Sequence, residues 1–277
     1  MKLTRPSEVR ALLAMMDFHP SRVLGQNFLI DANILNILLA AAALTHRDVV
    51  LEVGPGLGVL TEGLLNRAGR VVAVEKDGRL FQWLEKRFAD FPTLGIMHSD
   101  ILAVDLPALL AQGVTRCVAN LPYSIASRFL VDLMGAPRAP ERIVVTVQLE
   151  VAERFAAQPG THAYGLISVL AQLDYEVAIH KRISPTCFWP APEVTSAILL
   201  MTRRPAPIAP IHDRAAVLKL LKLCFSKRRK QLGSILRGEV ADVEKVLATL
   251  GIPPAARPEN LTPTDWTRLS QKIAVPG

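Results

Sequence analysis

Apolar residues recur along this chain in short, nearly unbroken runs separated by longer stretches of helical periodicity. DVVLEV (48–53), RVVAVE (70–75), LGIMH (94–98), TRCVAN (115–120) and ERIVVTVQ (141–148) are such runs. Their continuity marks strands buried on both faces, and their alternation with helices predicts a mostly parallel sheet covered on both sides. DYEVAIH (174–180) and VTSAILLM (194–201) extend the sheet, with an antiparallel edge as one outcome. In RRPAPIAP (203–210) prolines follow one another too closely for a helix or a central strand, so this segment reads as a linker. Beyond it the pattern is helical, divided by Pro253, Pro254, Pro258 and Pro263. The expectation is an α/β domain over residues 1–204 and a small all-α domain over residues 205–277.

A chain of 277 residues, half of them hydrophobic and 21% charged, can bury one large core plus a small appended one, and such a composition excludes disorder. The longest apolar stretch, Ile34 to Leu44, is interrupted by Asn36 and is too short to cross a bilayer, and the N-terminal residues lack a signal-peptide pattern. A cytoplasmic monomer without a membrane partner is expected. Cys117, Cys187 and Cys224 form no C-x-x-C pair, so neither a disulfide framework nor a bound metal is expected.

Charge changes the picture at one place. Of the net +7, the segment from Arg203 to Arg237 carries +9, with ten basic residues against Asp213 alone, so the rest of the chain sums to −2. At roughly 100° per residue, one continuous helix over 213–237 places Lys219, Lys222, Arg229, Lys230 and Arg237 on one face. Val217, Leu220, Leu221, Cys224, Leu232, Ile235 and Leu236 fall opposite. Such a helix buries one side and offers the other to a polyanion, with nucleic acid favoured over an idle solvated face.

Candidate chemistry begins at LEVGPGLGVLT (51–61), where a strand ends in glycines and a helix opens. Gly54 and Gly56 let the backbone turn and approach a ligand, and Gly58 permits a close-packed helix start. The spacing is G-x-G-x-G, with Val59 where a dinucleotide fingerprint places its third glycine. Glu75 ends the next strand, 21 residues after Gly54, where an acid accepts both ribose hydroxyls. Asp100, in HSDIL, stands where a carboxylate meets the exocyclic amine of an adenine. This ordered set describes an adenosine-containing cofactor, and fits S-adenosylmethionine better than NAD.

N-L-P-Y, Asn120 to Tyr123, closes the TRCVAN strand. The exocyclic N6 of adenine is a poor nucleophile because its lone pair is delocalised into the ring. The side-chain oxygen of Asn120 and the carbonyl of Leu121 are acceptors suited to favouring a tetrahedral nitrogen in the transition state. Pro122 stiffens the turn, and Tyr123 offers a ring on which an extruded base can stack. Catalysis of this kind works by alignment and electrostatics, without a general base.

G-Q-N-F-L (25–29), E-V-G-P-G-L-G (52–58), V-E-K-D (74–77), S-D-I (99–101), N-L-P-Y (120–123), E-V-A-E-R (150–154), A-Y-G (163–165) and F-W-P-A-P-E-V-T-S (188–196) together carry a resemblance. With them the chain resembles the ribosomal RNA adenine N6-dimethyltransferase family. The resemblance implies a Rossmann-like class I methyltransferase domain followed by a helical, rRNA-binding domain. It implies cofactor contacts from Asn27, Leu29, Gly54, Gly56, Glu75, Asp100, Ile101 and Asn120, and catalytic contacts from Asn120, Leu121, Tyr123 and Phe188. Phe188 stands there as a second aromatic near the target base, whereas its residue type alone reads as a core or turn aromatic.

The implied substrate is a pair of adjacent adenosines in a hairpin near the 3′ end of small-subunit rRNA, in the immature small ribosomal subunit. Departures from the family's pattern remove positive charge: only Arg22 precedes G-Q-N-F-L, and Leu149 and Leu166 stand where basic residues are common. Ala191 replaces a usual proline. The alternatives are a large-subunit rRNA methyltransferase of the macrolide-resistance type, which Leu121 and Pro55 disfavour, and an assembly factor acting mainly by binding.

Overall fold

The computed structural model describes residues 3–21, 25–208, 213–240 and 242–273; Arg22 and the end of the linker lie outside them. The chain opens with α1 (Pro6–Met15), β1 (Phe28–Leu29) and α2 (Ala32–Ala42). The alternating part follows: β2 (Val49–Val53), α3 (Val59–Leu65), β3 (Arg70–Glu75), α4 (Gly78–Arg87), β4 (Leu94–His98), α5 (Leu106–Leu110), β5 (Arg116–Asn120), α6 (Tyr123–Gly135) and β6 (Arg142–Gln148). Then come α7 (Leu149–Ala156), α8 (Leu166–Asp174), β7 (Tyr175–Ile183), β8 (Phe188–Trp189) and β9 (Ser196–Arg203). The chain ends in α9 (Arg214–Ser226), α10 (Leu232–Leu236), α11 (Val243–Thr249) and α12 (Pro263–Lys272).

Seven strands form one sheet in the order β4-β3-β2-β5-β6-β9-β7. Neighbours from β4 to β6 run parallel, and β9 lies antiparallel to β6 from Gln148↔Ser196 to Arg142↔Thr202. Every apolar run read as a strand is one, and the later runs extend the sheet as expected. Val50, Leu51, Val71, Val118, Ala119, Val144 and Val145 are all buried, which is why these runs are unbroken rather than alternating. The two-residue ladder of β1 with β8 had no signal in the periodicity.

Two compact units divide the chain: Met1–Ala152 with Ala178–Thr202, and Glu153–Val177 with Arg203–Gly277. The chain therefore passes between units inside α7 and inside β7, and again at the last residue of β9. Residues 153–177, part of 1–204 in the sequence reading, pack with the C-terminal helices. Tyr164, Val169 and Leu173 share a core with Leu220, Leu221, Trp266 and Leu269, and the Tyr164 hydroxyl donates to the Leu261 carbonyl at 2.9 Å. Asp174 anchors α9 through both oxygens to the Arg214 guanidinium, at 2.6 and 2.7 Å.

The continuous helix over 213–237 on which the angular argument depends is broken after Ser226 into two helices, and the charge count is unaffected. Lys227 leaves helical geometry, Lys230 closes a turn onto the Lys227 carbonyl, and α10 starts afresh at Leu232. Docking explains the break: Leu232 and Gly233 donate main-chain N–H groups to Ala256 and Pro254, and a Cβ on Gly233 would stand 3.2 Å from Pro254. The apolar face survives, since Val217, Leu220, Leu221, Cys224, Leu232, Ile235 and Leu236 are all buried.

Candidate active site

The strand order reverses where the chain leaves β4 and returns on the far side of β2 as β5. The β2–β5 ladder stops at Leu51↔Cys117, while β2 and β3 stay paired to Val53↔Val74. A crevice at the carboxyl ends results, the usual ligand position in an open α/β sheet. The cleft there encloses about 1050 Å³, its open mouth included. Asn27, Leu29, Gly54, Gly56, Glu75, Asp100, Ile101 and Asn120 all line it, whereas Leu121, Tyr123 and Phe188 do not.

Backbone conformation explains the glycine loop. Gly54, Gly56 and Gly58 have φ of +66°, +60° and +82°, in the left-handed region that other residues enter at a cost. A Cβ on Gly56 would come within 3.1 Å of the Phe28 ring, and one on Gly58 within 2.6 Å of the Phe88 ring. The loop is thereby pressed between the G-Q-N-F-L segment and α4.

Glu75 is 5% exposed at the end of β3. One carboxylate oxygen accepts the N–H of Gly56 at 3.1 Å and the other the N–H of Asp77 at 2.9 Å, so the acid ties the glycine loop to the start of α4. Burial pushes its pKa up, against these backbone hydrogen bonds. Asp100 accepts from Lys76 Nζ at 2.8 Å and from the Leu102 N–H at 2.9 Å, contacts that hold its carboxyl below the usual range.

Asn120 ends β5 in register with Thr146 of β6. Its Nδ2 donates to the main-chain carbonyl of Asn27 at 2.8 Å, and its Oδ1 accepts from the Thr146 hydroxyl. A carbonyl can only accept, so the amide has one orientation, and Oδ1 keeps a second lone pair for another donor. Leu121 is buried with its N–H on the Thr146 carbonyl at 3.3 Å. Pro122 caps α6, so N-L-P-Y is a strand-to-helix junction rather than an ordinary turn. Tyr123 is half-buried, its hydroxyl pinned to Ser196 of β9 at 2.5 Å, and burial raises its pKa.

Phe188 departs from the role implied by resemblance. It is 2% exposed, packed in the core with Leu29, Ile34 and Ile183, and presents no open ring face to a base. Antiparallel pairing with Leu29 holds it there, beside the G-Q-N-F-L segment.

Sequence reasoning missed Glu52 and Thr146. Glu52 is 1% exposed and lines the cleft, Oε2 has no hydrogen-bond partner, and burial pushes its carboxyl up to about 8. Both residues are polar interruptions of runs read as fully buried strands, and that interruption was the available signal. No group of His, Cys, Asp and Glu suited to a metal ion occurs among the described residues.

A largely parallel sheet with its cleft at the strand reversal, a glycine loop and a carboxylate ending the neighbouring strand together define a class I methyltransferase. The chain belongs to the ribosomal RNA adenine dimethylase family, which it matches over residues 18–275. It is 40% identical to the ribosomal RNA small subunit methyltransferase A of Levilactobacillus brevis, over 96% of this chain and 94% of that one. It is 39% identical to the protein of that name from Opitutus terrae, over 95% and 97%. Among solved structures, a dimethyladenosine transferase from Plasmodium falciparum superposes with a TM-score of 0.77 at 25% identity, covering 87% of this chain and 95% of that one. The 23S rRNA methyltransferase ErmE follows with 0.70 at 26% identity, covering 89% and 99%.

Proposed function

We propose that this protein transfers methyl groups from S-adenosylmethionine to N6 of two adjacent adenosines, in a hairpin near the 3′ end of small-subunit rRNA. It does so as a cytoplasmic monomer on the immature small subunit. The observation that carries this reading is the Asn120 amide, locked in one orientation and sharing a cleft wall with Glu75 and Asp100.

The cleft fits the cofactor. Glycines with positive φ bring main chain, not side chains, to its surface. Glu52 lines the cleft with a buried carboxyl oxygen that has no partner within the protein, an acceptor left for a ligand's donor. Asn27, Leu29, Gly54 and Gly56 would hold the amino-acid portion, Glu75 the ribose hydroxyls, and Asp100 with Ile101 the adenine. When bound, the cofactor would supply a methyl group on a cationic sulfur: the N6–C bond forms as the S–C bond breaks, the sulfur leaves as a neutral thioether, and the methylated nitrogen then gives its extra proton to solvent, so no general base is needed before transfer.

Asn120 Oδ1 and the Leu121 carbonyl accept hydrogen bonds from the target amine as its nitrogen becomes tetrahedral, and these bonds strengthen toward the transition state. Pro122 keeps both acceptors aimed, and the Ser196 contact holds Tyr123 for stacking on the base. Phe188 acts from the core, by supporting Leu29.

Identities of 39–40% across nearly the whole chain to proteins named for the small subunit favour the small subunit over the large one, and the TM-score of 0.77 to the dimethyladenosine transferase, against 0.70 to ErmE, runs the same way. The basic helical unit is the proposed rRNA-binding element, through Lys222, Lys227, Arg229 and Lys230, all exposed. Labelled S-adenosylmethionine, offered with undermethylated small and large subunits, tests the proposal. Label is expected at two neighbouring adenosines of the small subunit; label confined to the large subunit, or binding without transfer, overturns it.

A further inference from the structure

Gln26 joins the two ends of the cleft. Its Oε1 accepts the main-chain N–H of Ser21 at 2.7 Å, and its Nε2 donates to Oδ2 of Asp77 at 3.1 Å. A main-chain N–H only donates, so the amide has one orientation. Asp77 gives its own N–H to Glu75 at 2.9 Å, and its other oxygen caps α4 through Arg79 and Leu80 at 2.9 and 3.2 Å. Gln26 therefore stands one residue away from the ribose-type acid. On its other side, the Asn27 carbonyl holds the Asn120 amide. Gly25, at φ +64°, comes so near that its Cβ would stand 3.4 Å from Pro122. Three consecutive residues thus reach Pro122, Asp77 and Asn120.

We propose that Gln26 is a positioning residue that makes the ribose end and the methyl-transfer end of the cleft one mechanical unit. Its bond to Asp77 sets where the 25–27 main chain lies, and with it the Asn27 carbonyl that orients Asn120. The inference rests on the reading of the cleft given above. Residue chemistry supports it: glutamine accepts from an N–H and donates to a carboxylate at once. Glutamate here would face Asp77 with like charge, and lysine could not accept from Ser21. A ligand that draws on Glu75 is then felt at Asn120 through Asp77 and Gln26, and Asn120 is aimed only when the ribose end is in place.

The test uses the full chain as wild type, Gln26→Glu, Asp77→Asn and the double variant, in which amide and carboxylate change places and the bond between the two positions can form again. The side-chain amide signals of Asn120, followed by NMR without cofactor, are expected to shift in each single variant and return in the double. At saturating S-adenosylmethionine, single-turnover methylation of undermethylated small subunits should slow about tenfold or more in each single variant and recover to within a few-fold in the double. The cofactor-free melting temperature should stay close to wild type. Should Gln26→Glu fail to fold, Gln26→Leu takes its place, with the same slowed step and no rescue by Asp77→Asn. Unmoved Asn120 signals, additive losses in the double variant, or a lowered melting temperature with an unchanged saturated step overturn the proposal. A wild type that neither binds the cofactor nor methylates the subunit overturns the cleft reading instead, and the NMR arm then decides the role of Gln26 alone.

Discussion

Asn120 and Asn27, 93 residues apart, meet through a 2.8 Å hydrogen bond from a side-chain amide to a main-chain carbonyl. The bond decides which atom of Asn120 is left to act. With Nδ2 spent on Asn27, the group available to a target amine is the oxygen, as the acceptor chemistry requires. Both the G-Q-N-F-L and N-L-P-Y motifs are needed for this arrangement.

Asn120→Ala should therefore cost turnover more than cofactor affinity. Single-turnover methylation is expected to fall on the order of a hundredfold, with a much smaller change in the S-adenosylmethionine dissociation constant. Asn120→Asp should be no better despite its shape, because a carboxylate would face the Asn27 carbonyl acceptor to acceptor. Single-turnover rates beside calorimetric titration separate the two effects, and a loss confined to affinity would contradict the assignment.

Removing the Glu75 carboxylate should weaken cofactor binding by about 1.5–3 kcal/mol in Glu75→Ala, through lost charge-assisted hydrogen bonds. The alanine variant should also melt earlier, since the Gly56 and Asp77 N–H groups lose their acceptor. Glu75→Gln keeps one of the two acceptor oxygens and should recover part of the melting temperature but less of the affinity. Calorimetry and thermal melting on the two variants check both statements.

Glu52 links stability to pH. Its folded pKa, about 8, lies above its ordinary 4.5, so the folded state holds the proton more tightly. The contribution is fully present below about pH 4.5 and is lost as pH rises toward 8. Burial is the main cause; of the groups facing it, the Thr61 side chain of α3 pulls the pKa back down, Glu75 raises it further, and the Cys117 thiol lies alongside. Glu52→Gln, neutral at every pH, should gain on wild type through this window and level off above it, with a difference on the order of a few kcal/mol. Denaturant unfolding on both sides of the window measures it; a pH-independent difference would mean that Glu52 is ionised in the folded protein.

Charge on the helical unit divides by partner. Arg228 is bonded to Glu259 at 3.1 Å and to the His162 carbonyl at 3.0 Å, so Arg228→Ala should chiefly lower stability. Neutralising Lys222, Lys227, Arg229 and Lys230 together should instead weaken subunit binding and flatten its salt dependence, by about 0.7–0.9 log units of slope for each phosphate no longer neutralised. Cofactor affinity should barely move. Binding over a salt series shows the effect, and equal slopes for variant and wild type would refute it.

Gly58→Ala probes the loop itself. A Cβ there meets the Phe88 ring at 2.6 Å on a backbone of φ +82°, and strain and overpacking together should destabilise by about 2–4 kcal/mol. Unfolding curves check it, and an unchanged midpoint would mean that α4 gives way freely.

What the amino-acid sequence determined by itself follows from local rules. Strands buried on both faces need unbroken apolar runs, so β2, β3, β5 and β6 were legible almost to the residue. A loop with positive φ needs glycine, so Gly54, Gly56 and Gly58 marked the cleft before any fold was known. The spacing of Glu75 and Asp100 on successive strands placed both at one end of the sheet.

What only the tertiary structure decided are relations between residues far apart. The orientation of Asn120 depends on Asn27 and Thr146, from two other elements, and no periodicity records which donor faces which acceptor. Phe188 is core because β8 pairs with β1, a ladder too short to leave a pattern. Arg228 loses its freedom to Glu259, and the helix breaks after Ser226 because Gly233 docks on Pro254. Residues 153–177 carry a helix and part of a strand that read locally like those before them, and they join the C-terminal helices because Tyr164 and Leu173 find their apolar partners there. Local sequence sets backbone conformation and the apolar face, but which partner covers that face, and which polar atoms remain unspent beneath it, is settled only when distant segments pack.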